Sequence, residues 1–260
     1  MKPKKVCPRC SLNKIYEIRR GKWRCAKCKY EWIPRRLPLY LSEKEWIELL
    51  RWFIHGLSGR CISDETGLNR RRVHRALNIV RTAMSKDLPE VFSGTIEVDE
   101  TYIGGQWKNK RKKQRKIKAK RGRGTLKTPV FGILCRGGKV WAQVVPDVEA
   151  RTLMPLIDKR VKRGSIICSD TWKSYTGIAA KGYIHRLVEH NKGDYVNAQG
   201  NHINGLEGFW GYLKRKLASK GGIRKERLPL YLAEYVWRYN HRNFAHKQKL
   251  NKLLKLLYKQ

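Results

Sequence analysis

Two acidic residues stand out because they occur in apolar, strand-like segments of a strongly basic chain. Asp99 lies in an alternating apolar run, where it shares one face with Glu97 and Thr101. Asp170 ends a second, shorter apolar run. A carboxylate in such a position needs an explanation, although any one of them, taken alone, is more often a surface or capping group.

A third acidic residue opens a helical pattern. Glu207 precedes Lys214 by two helical turns, so both side chains can face the same way, and Asn204 lies one turn before Glu207 on roughly that face. Carboxylates from two strands and one helix could converge on a pair of divalent ions about 3.5–4 Å apart. Hard cations with oxygen ligands suit phosphate chemistry, so these residues together indicate metal-dependent phosphoryl transfer.

Four of the seven cysteines form two Cys-x2-Cys pairs separated by fourteen residues, namely Cys7, Cys10, Cys25 and Cys28. This is close to the four-thiolate zinc spacing, and the intervening segment predicts a hairpin turning at Gly21, as in a zinc ribbon. We predict structural zinc, which would supply much of the folding free energy of so short a domain. The alternative is a set of unligated, reduced thiols.

Composition narrows the class of protein. The 260 residues include 59 Lys and Arg against 21 Asp and Glu, a net charge of +38, which predicts a polyanionic partner. Hydrophobic residues make up 41% of the chain, enough for a core. No apolar run approaches the ~20 residues that span a bilayer, and the basic amino terminus lacks an apolar signal segment. We therefore expect a cytoplasmic nucleic-acid-binding protein.

The pattern changes along the chain and predicts four parts, with an α/β domain as the largest. The predicted parts are a zinc ribbon at 1–36, a helical segment at 37–90, an α/β domain at 91–222 with a basic insertion at 106–128, and a helical extension at 223–260. The extension has enough apolar residues to pack on the α/β domain or on a partner subunit.

The residue pattern of the helical segment predicts three helices. Apolar residues at helical spacing begin near Ser42, a short helix ends at Gly67, and Asn69 can cap a third helix. That third helix carries four outward arginines near its start: Arg70, Arg71, Arg72 and Arg75. The order is similar to a helix-turn-helix whose arginine-rich helix enters the major groove. The alternative is a plain helical hairpin that only packs.

The stretch 108–127 contains 12 Lys or Arg in 20 residues and no acid. Such a block is most simply a solvated loop that becomes ordered on a phosphate backbone. Its candidate DNA-binding residues are Lys110, Arg111, Lys112, Lys113, Arg115 and Lys116.

Several of these segments together resemble the DDE transposases of small prokaryotic insertion sequences, in the subgroup that starts with a zinc ribbon. The segments that carry the resemblance are Val98–Gly105, Ser169–Asp170 with Tyr175, His202–Trp210 with Leu213–Arg215, and Glu234–Arg242. The resemblance covers about 1–36 and 90–245, and its motifs are specific when they occur in this order.

The resemblance implies an RNase H-like catalytic fold, with Asp99 on the first strand, Asp170 at the end of the fourth and Glu207 on the following helix. The apolar pattern agrees, since it predicts the remaining elements in the expected order: strands at 129–136, 140–145, 165–169 and 183–189, and a helix at 151–161. Some members of the subgroup use Asn as the third ligand, so Asn204 competes with Glu207. We choose Glu207, because a carboxylate binds a hard dication better than an amide.

The implied function is an insertion-sequence transposase that binds terminal inverted repeats and cleaves and joins DNA with Mg²⁺ or Mn²⁺. Lys214 would steady a phosphate beside the metals, while Trp210 and Tyr212 are expected in the core rather than stacked on end bases. Synapsis of two ends implies at least a dimer, associated with the nucleoid. The alternatives are a DNA-binding regulator without enzymatic activity and a structure-specific nuclease that cuts without joining.

Overall fold

The structure is a computed structural model, and it describes residues 6–19, 22–32, 37–89, 91–105, 127–170, 177–188 and 203–259. The candidate DNA-binding residues between 110 and 116 lie outside these ranges, as does Gly21. The chain divides into two compact units, which are described separately: unit 1 is Met1–Ala76 with Leu254–Gln260, and unit 2 is Leu77–Leu253. The four-part division made from the sequence stays a prediction.

Unit 1 begins with a small antiparallel sheet. Its strands, in the order β1-β2-β3, are β1 (Ile15–Ile18), β2 (Lys22–Cys25) and β3 (Glu31–Trp32). The register pairs Ile15 with Cys25 and Ile18 with Lys22, so the predicted hairpin is confirmed. The hairpin brings the second cysteine pair back beside the first, which is the arrangement that a shared metal ion needs.

Three helices follow in the predicted order: α1 (Glu43–His55), α2 (Gly59–Thr66) and α3 (Arg70–Ser85). Ser42 and Glu45 form a reciprocal capping box at the start of α1, which satisfies amide groups that the helix leaves unpaired. Gly56 and Gly67 end α1 and α2 with φ of 90° and 67°, a left-handed conformation that glycine adopts without strain. Asn69 Oδ1 accepts from the Arg71 amide at 2.9 Å, as predicted for the cap of α3.

Unit 2 contains a five-stranded sheet in the order β6-β5-β4-β7-β8. Its strands are β4 (Thr95–Ile103), β5 (Thr128–Cys135), β6 (Val140–Val144), β7 (Ile166–Ser169) and β8 (Ile184–Leu187). β4, β5 and β6 are antiparallel neighbours, whereas β4, β7 and β8 run parallel. The strands predicted from the apolar pattern are thus confirmed to within one or two residues at each end.

The described part of the chain contains four further helices: α4 (Ala150–Arg160), α5 (Asn204–Ala218), α6 (Leu228–Asn240) and α7 (His246–Leu257). Short 3-10 turns occur at Pro38–Tyr40, Ala179–Lys181 and Lys225–Arg227. No helix among the described residues is long and apolar enough to span a membrane.

Both faces of the sheet are covered at β4 and β5, which explains the apolar residues of these strands, whereas the edge strand β8 is largely exposed. On one face, Val98 and Ile133 pack in a cluster with Leu153 of α4. On the other face, Leu134 of β5 packs in a second cluster with Leu213 of α5 and with α6. Since side chains alternate along a strand, the residues of β4 that do not point to α4 point to α5, and these include Glu97, Asp99 and Thr101.

Gly132 of β5 lets α5 approach the sheet closely. A Cβ at this position would lie 2.6 Å from Cζ2 of Trp210 and 3.1 Å from Cδ1 of Leu206, both on α5. Gly132 is also the partner of Asp99 in the β4–β5 register. The absence of a side chain at Gly132 therefore places the Trp210 ring over the sheet directly beside Asp99.

We expect Gly132→Ala to lower the free energy of unfolding by about 1–3 kcal/mol, because the added methyl group forces α5 or β5 to shift in a packed core. The measurement is the midpoint of denaturant unfolding. Gly208→Ala on α5 is the matched control, since its Cβ would meet no atom within 4 Å. That control should be neutral or stabilising, by up to about 1 kcal/mol, because alanine favours the helix. Equal stability of the two variants would contradict the close contact.

Candidate active site and metal centre

Asp99 lies in the middle of β4 and is held by a side chain from α5. Nε1 of Trp210 donates a hydrogen bond to Oδ2 of Asp99 at 3.0 Å. Trp210 itself is only 4% exposed and belongs to the core cluster between the sheet and α5, as expected for a residue of that helix. The indole therefore has two roles, since it fills the core with its ring and orients a carboxylate with its N–H group.

Asp170 follows directly after β7, the strand that lies parallel to β4. The register pairs Thr95 with Ile166 and Glu97 with Cys168, so its continuation by two residues places Asp170 beside Asp99. Adjacent strands are about 4.8 Å apart. The structure thus brings two of the three predicted acidic residues together at neighbouring positions of the sheet.

The pKa of the Asp99 carboxyl is raised from its usual value of 3.8 to about 7. The main cause is burial, which disfavours the charged form, and the negative charges of Glu100 and then Asp170 act in the same direction. Hydrogen bonds from the Glu100 amide and from Trp210 oppose the rise only in part. Among the described residues, burial and neighbouring acids therefore outweigh the groups that favour the charged form of Asp99.

The third acidic residue is carried by the first turn of α5. Glu207 lies one turn before Trp210 and Lys214 one turn after it, so the two flank the indole that contacts Asp99. Both side chains are exposed. Glu207 and Lys214 thus lie one turn to either side of the residue that contacts Asp99.

Asn204 is the first residue of α5, and its amide oxygen is unusual. Oδ1 of Asn204 is shielded from solvent and has no hydrogen-bond donor among the described residues. An unsatisfied buried acceptor is unfavourable unless a ligand, a water or a cation satisfies it. Asn204 therefore offers an oxygen donor on the same turn of α5 that carries Glu207.

The acidic residues do not form a closed cluster. Within the described ranges, the four cysteines are the only group of three or more Cys, His, Asp or Glu side chains whose ligand atoms all lie within 4.8 Å of one another. Asp99, Asp170 and Glu207 do not meet that condition. Their oxygen donors nevertheless suit Mg²⁺, which takes one or two protein carboxylates and keeps positions for water and phosphate oxygens.

The four predicted cysteine ligands lie together. Sγ of Cys7 is 3.5 Å from Sγ of Cys28, and Sγ of Cys10 is 3.4 Å from Sγ of Cys25. Four thiolates at about 2.3 Å from one zinc ion would be separated by only slightly more. The Cys28 amide donates to the Cys25 sulfur and, with the Lys27 amide, lowers the pKa of that thiol to about 6. The cluster can therefore bind a metal such as zinc.

The predicted DNA-binding arginines of α3 lie at its solvent-exposed start. Nη2 of Arg72 donates to the Leu39 carbonyl at 3.1 Å, whereas Arg70, Arg71 and Arg75 extend from the same end of the helix. This part of unit 1 is strongly positive.

The sequence did not predict two features of the candidate site. Glu97 was placed on the face of Asp99 but was given no role, yet it is fully buried and accepts a hydrogen bond from the Leu206 amide of α5 at 2.8 Å. Trp210 was expected in the core, but its hydrogen bond to Asp99 was not foreseen. Strand alternation was the only signal for Glu97, and nothing in the sequence indicated the direction of the Trp210 N–H group.

Most of unit 2 is similar in sequence to known transposase-like proteins. Residues 91–240 match the family described as ISXO2-like transposase domain. A transposase-like protein of Haemophilus influenzae, itself uncharacterised, is 39% identical over 103 residues, which cover 40% of this chain and 82% of that protein. An uncharacterised protein in the transposable element ISH50 of Halobacterium salinarum is 25% identical over 255 residues, covering 89% of this chain and 84% of that protein.

The solved structures that align with this chain are less similar to it in sequence. A simian T-cell lymphotropic virus intasome in complex with the PP2A regulatory subunit B56 gamma aligns with a TM-score of 0.35 and 14% identity, over 75% of this chain and 68% of that chain. A pre-cleavage Mos1 transpososome aligns with a TM-score of 0.25 and 12% identity, over 82% and 78% of the two chains. Alignments with scores this low do not establish a common fold.

We expect Cys25→Ser to abolish binding of zinc and to lower the melting temperature, since one lost thiolate opens the coordination shell. Metal content of the purified protein, measured by mass spectrometry, should fall from one zinc ion per chain to a small fraction. Cys61→Ser is the control, because Cys61 is exposed and lies outside the cluster. Zinc retained by Cys25→Ser at the wild-type level would contradict a four-thiolate site.

The raised pKa of Asp99 predicts a pH-dependent cost to folding. Between its usual value of 3.8 and about 7, the unfolded chain loses this proton while the folded chain keeps it, so Asp99 lowers stability as the pH rises through that window. Asn cannot ionise and can still accept from Trp210. In buffer without added divalent ions, the melting temperature of Asp99→Asn minus that of wild type should therefore increase from about pH 5 to pH 7 and then level off.

The matched control for this measurement is Asp64→Asn, which removes an exposed acid of α2. Its difference from wild type should stay flat over the same pH range. A flat difference for Asp99→Asn as well would show that burial does not shift the titration of Asp99.

Proposed function

Since the chain belongs to the family of ISXO2-like transposases, we propose that it is an insertion-sequence DDE transposase that binds terminal inverted repeats and catalyses Mg²⁺-dependent cleavage and strand transfer of DNA. The observation that carries this proposal is the position of Asp99 in β4 beside Asp170, which directly follows the neighbouring parallel strand β7, with α5 held on Asp99 through Trp210. We assign unit 2 to the RNase H-like class, and its strand order and directions support that assignment.

Asp99, Asp170 and Glu207 would hold two Mg²⁺ ions, with Mn²⁺ as a substitute. Their oxygen donors fit hard cations, and positive charge beside Asp99 would offset the effects that raise its pKa. When bound, such ions activate a water or a 3′-hydroxyl group and stabilise the leaving oxygen of an in-line displacement. Water would first attack the phosphodiester at the element end, and the released 3′-hydroxyl would then attack target DNA.

The side chains around these acids supply position and charge. Trp210 fixes the orientation of the Asp99 carboxylate through its hydrogen bond at 3.0 Å. Lys214, exposed one turn beyond Trp210, would neutralise a phosphate oxygen of the DNA end. Preorganised groups of this kind contribute most of the rate in phosphoryl transfer, because little other chemistry is left for the protein.

The third ligand remains a choice between two residues of the first turn of α5. We retain Glu207, since a carboxylate is the stronger ligand for Mg²⁺. The buried and unsatisfied Oδ1 of Asn204 supports the alternative. The variants Glu207→Gln and Asn204→Leu separate the two, because the ligand whose removal raises the Mg²⁺ requirement is the one that binds the metal.

DNA would be recognised by basic elements outside the acidic site. The arginines at the start of α3 would enter a major groove, the zinc ribbon would contribute further contacts, and the basic stretch at 108–127 would add salt-dependent affinity without sequence preference. Joining requires two element ends, so the protein would act as a dimer or larger assembly on the nucleoid.

The test is a cleavage and strand-transfer assay with purified full-length protein, labelled element ends and Mg²⁺. We expect Asp99→Asn and Asp170→Asn each to reduce joining by about a hundredfold or more, because each removes charge at the reacting phosphate. Glu207→Gln should reduce joining to a similar extent. DNA affinity, measured separately, should stay near the wild-type value.

The matched control is Glu226→Gln, which removes one exposed acid of unit 2 and should join DNA at the wild-type rate. Undiminished joining by any one of the three variants would remove that residue from the site. A wild-type protein that binds the ends without cutting would be a regulator, and one that cuts without joining would be a nuclease.

A further inference from the structure

Glu97 is a buried carboxylate that none of the proposed chemical steps uses. Its side chain is 0% exposed, in contrast to the exposed Glu207. Oε2 accepts a hydrogen bond from the Leu206 amide at 2.8 Å, and Oε1 accepts one from Nε of Arg136 at 3.2 Å. Burial of a charge is strongly unfavourable unless it is paired and hydrogen-bonded, and Glu97 meets both conditions.

The contact with Leu206 replaces an ordinary helix cap. The first amide groups of a helix have no partner within it and are usually satisfied by a Ser, Thr, Asp or Asn at the N-cap position. In α5 that position is Ile203, which makes no side-chain cap. The Leu206 amide donates to the Ile203 carbonyl at 3.1 Å, and Glu97 of β4 supplies the side-chain acceptor that Ile203 lacks. The negative charge of Glu97 also suits the positive end of the helix dipole.

Gly205 makes this close approach possible. A Cβ at Gly205 would lie 3.0 Å from Oε2 of Glu97 and 3.3 Å from Oε1. A side chain at this position would be in tight contact with the carboxylate, so that Glu97 or the first turn of α5 would have to shift by a few tenths of an ångström. The sequence therefore provides both the acceptor on the strand and the space for it on the helix.

Arg136 extends the network to a third element. Beyond its ion pair with Glu97, Nη2 of Arg136 lies 3.7 Å from Sγ of Cys168 in β7. Glu97 is two residues before Asp99, Cys168 is two residues before Asp170, and Leu206 is one residue before Glu207. One carboxylate and one guanidinium thus join the three segments that carry the proposed metal ligands.

We propose that Glu97 is a positioning residue, which sets the location of the first turn of α5 relative to Asp99 and Asp170 and so the geometry of the metal ligands. The inference rests on the proposed function, since it assigns Glu97 a role in that site. A buried ion pair commonly contributes little net stability compared with apolar residues of similar size. The role of Glu97 is therefore geometric, and it should appear in metal binding and turnover.

The experiment compares Glu97→Met, which keeps the length of the side chain without an acceptor, with Glu97→Gln, which keeps one acceptor oxygen. In the strand-transfer assay, Glu97→Met should lower kcat about tenfold or more and raise the Mg²⁺ concentration for half-maximal rate several-fold, with DNA affinity within about twofold of wild type. Glu97→Gln should recover a large part of both losses, because it can still accept from Leu206.

A second measurement does not depend on activity. Hydrogen–deuterium exchange should show faster exchange at 204–210 in Glu97→Met than in wild type, with 150–160 of α4 unchanged as the internal control. Should Glu97→Met fail to fold, Glu97→Gln is compared directly with wild type and should show the same changes at smaller size.

The outcomes separate this inference from the proposed function. If wild-type protein does not join DNA, the proposed function fails, while the exchange result still reports whether Glu97 holds α5. If wild type joins DNA and the Glu97 variants match it in kcat, Mg²⁺ requirement and exchange, the positioning role is wrong. A fall in melting temperature and kcat with unchanged Mg²⁺ requirement and unchanged exchange at 204–210 would likewise overturn it and leave Glu97 with a structural role only.

Discussion

The close contact between α5 and the sheet is the constraint on which the rest of unit 2 depends. Gly132 removes the side chain that would keep the helix away, and the Trp210 ring occupies that space. In this position the ring donates its N–H group to Asp99, at 3.0 Å. The packing of the core and the orientation of a candidate catalytic carboxylate therefore depend on the same side chain. A substitution that disturbs the packing of Trp210 should also disturb the orientation of Asp99.

The net charge of the protein and the local charge at Asp99 have opposite signs, and both suit a DNA substrate. Overall the protein carries a net charge of +38, which draws it to a polyanion. At Asp99 the local balance is reversed, since burial and the charges of Glu100 and Asp170 raise its pKa to about 7. A basic protein that holds acids in its sheet can attract phosphates at long range and offer a dication site at short range, which a regulator that only binds DNA has no need to do.

The sequence predicted the elements well because their signals are local. Ser42 and Asn69 mark helix starts, Gly56 and Gly67 mark helix ends, and each acts within a few residues of itself. Strand alternation also placed Asp99 on one face of β4. The capping by Glu97 could not be predicted in the same way, because its partner Leu206 lies 109 residues away and only the packing of α5 brings the two together.

The same packing determines how the start of α5, which carries both Asn204 and Glu207, is built. Glu97 accepts from the Leu206 amide from outside the helix, in addition to the Ile203 carbonyl, so the N-cap position carries an apolar side chain instead of a capping one. Ile203 is consequently buried with Cys168 and Val188. Asn204, a residue type that elsewhere often caps helices, keeps its amide oxygen unused among the described residues. A carboxylate that takes part in no proposed chemical step thereby leaves an oxygen donor available at the turn where the proposed site needs one.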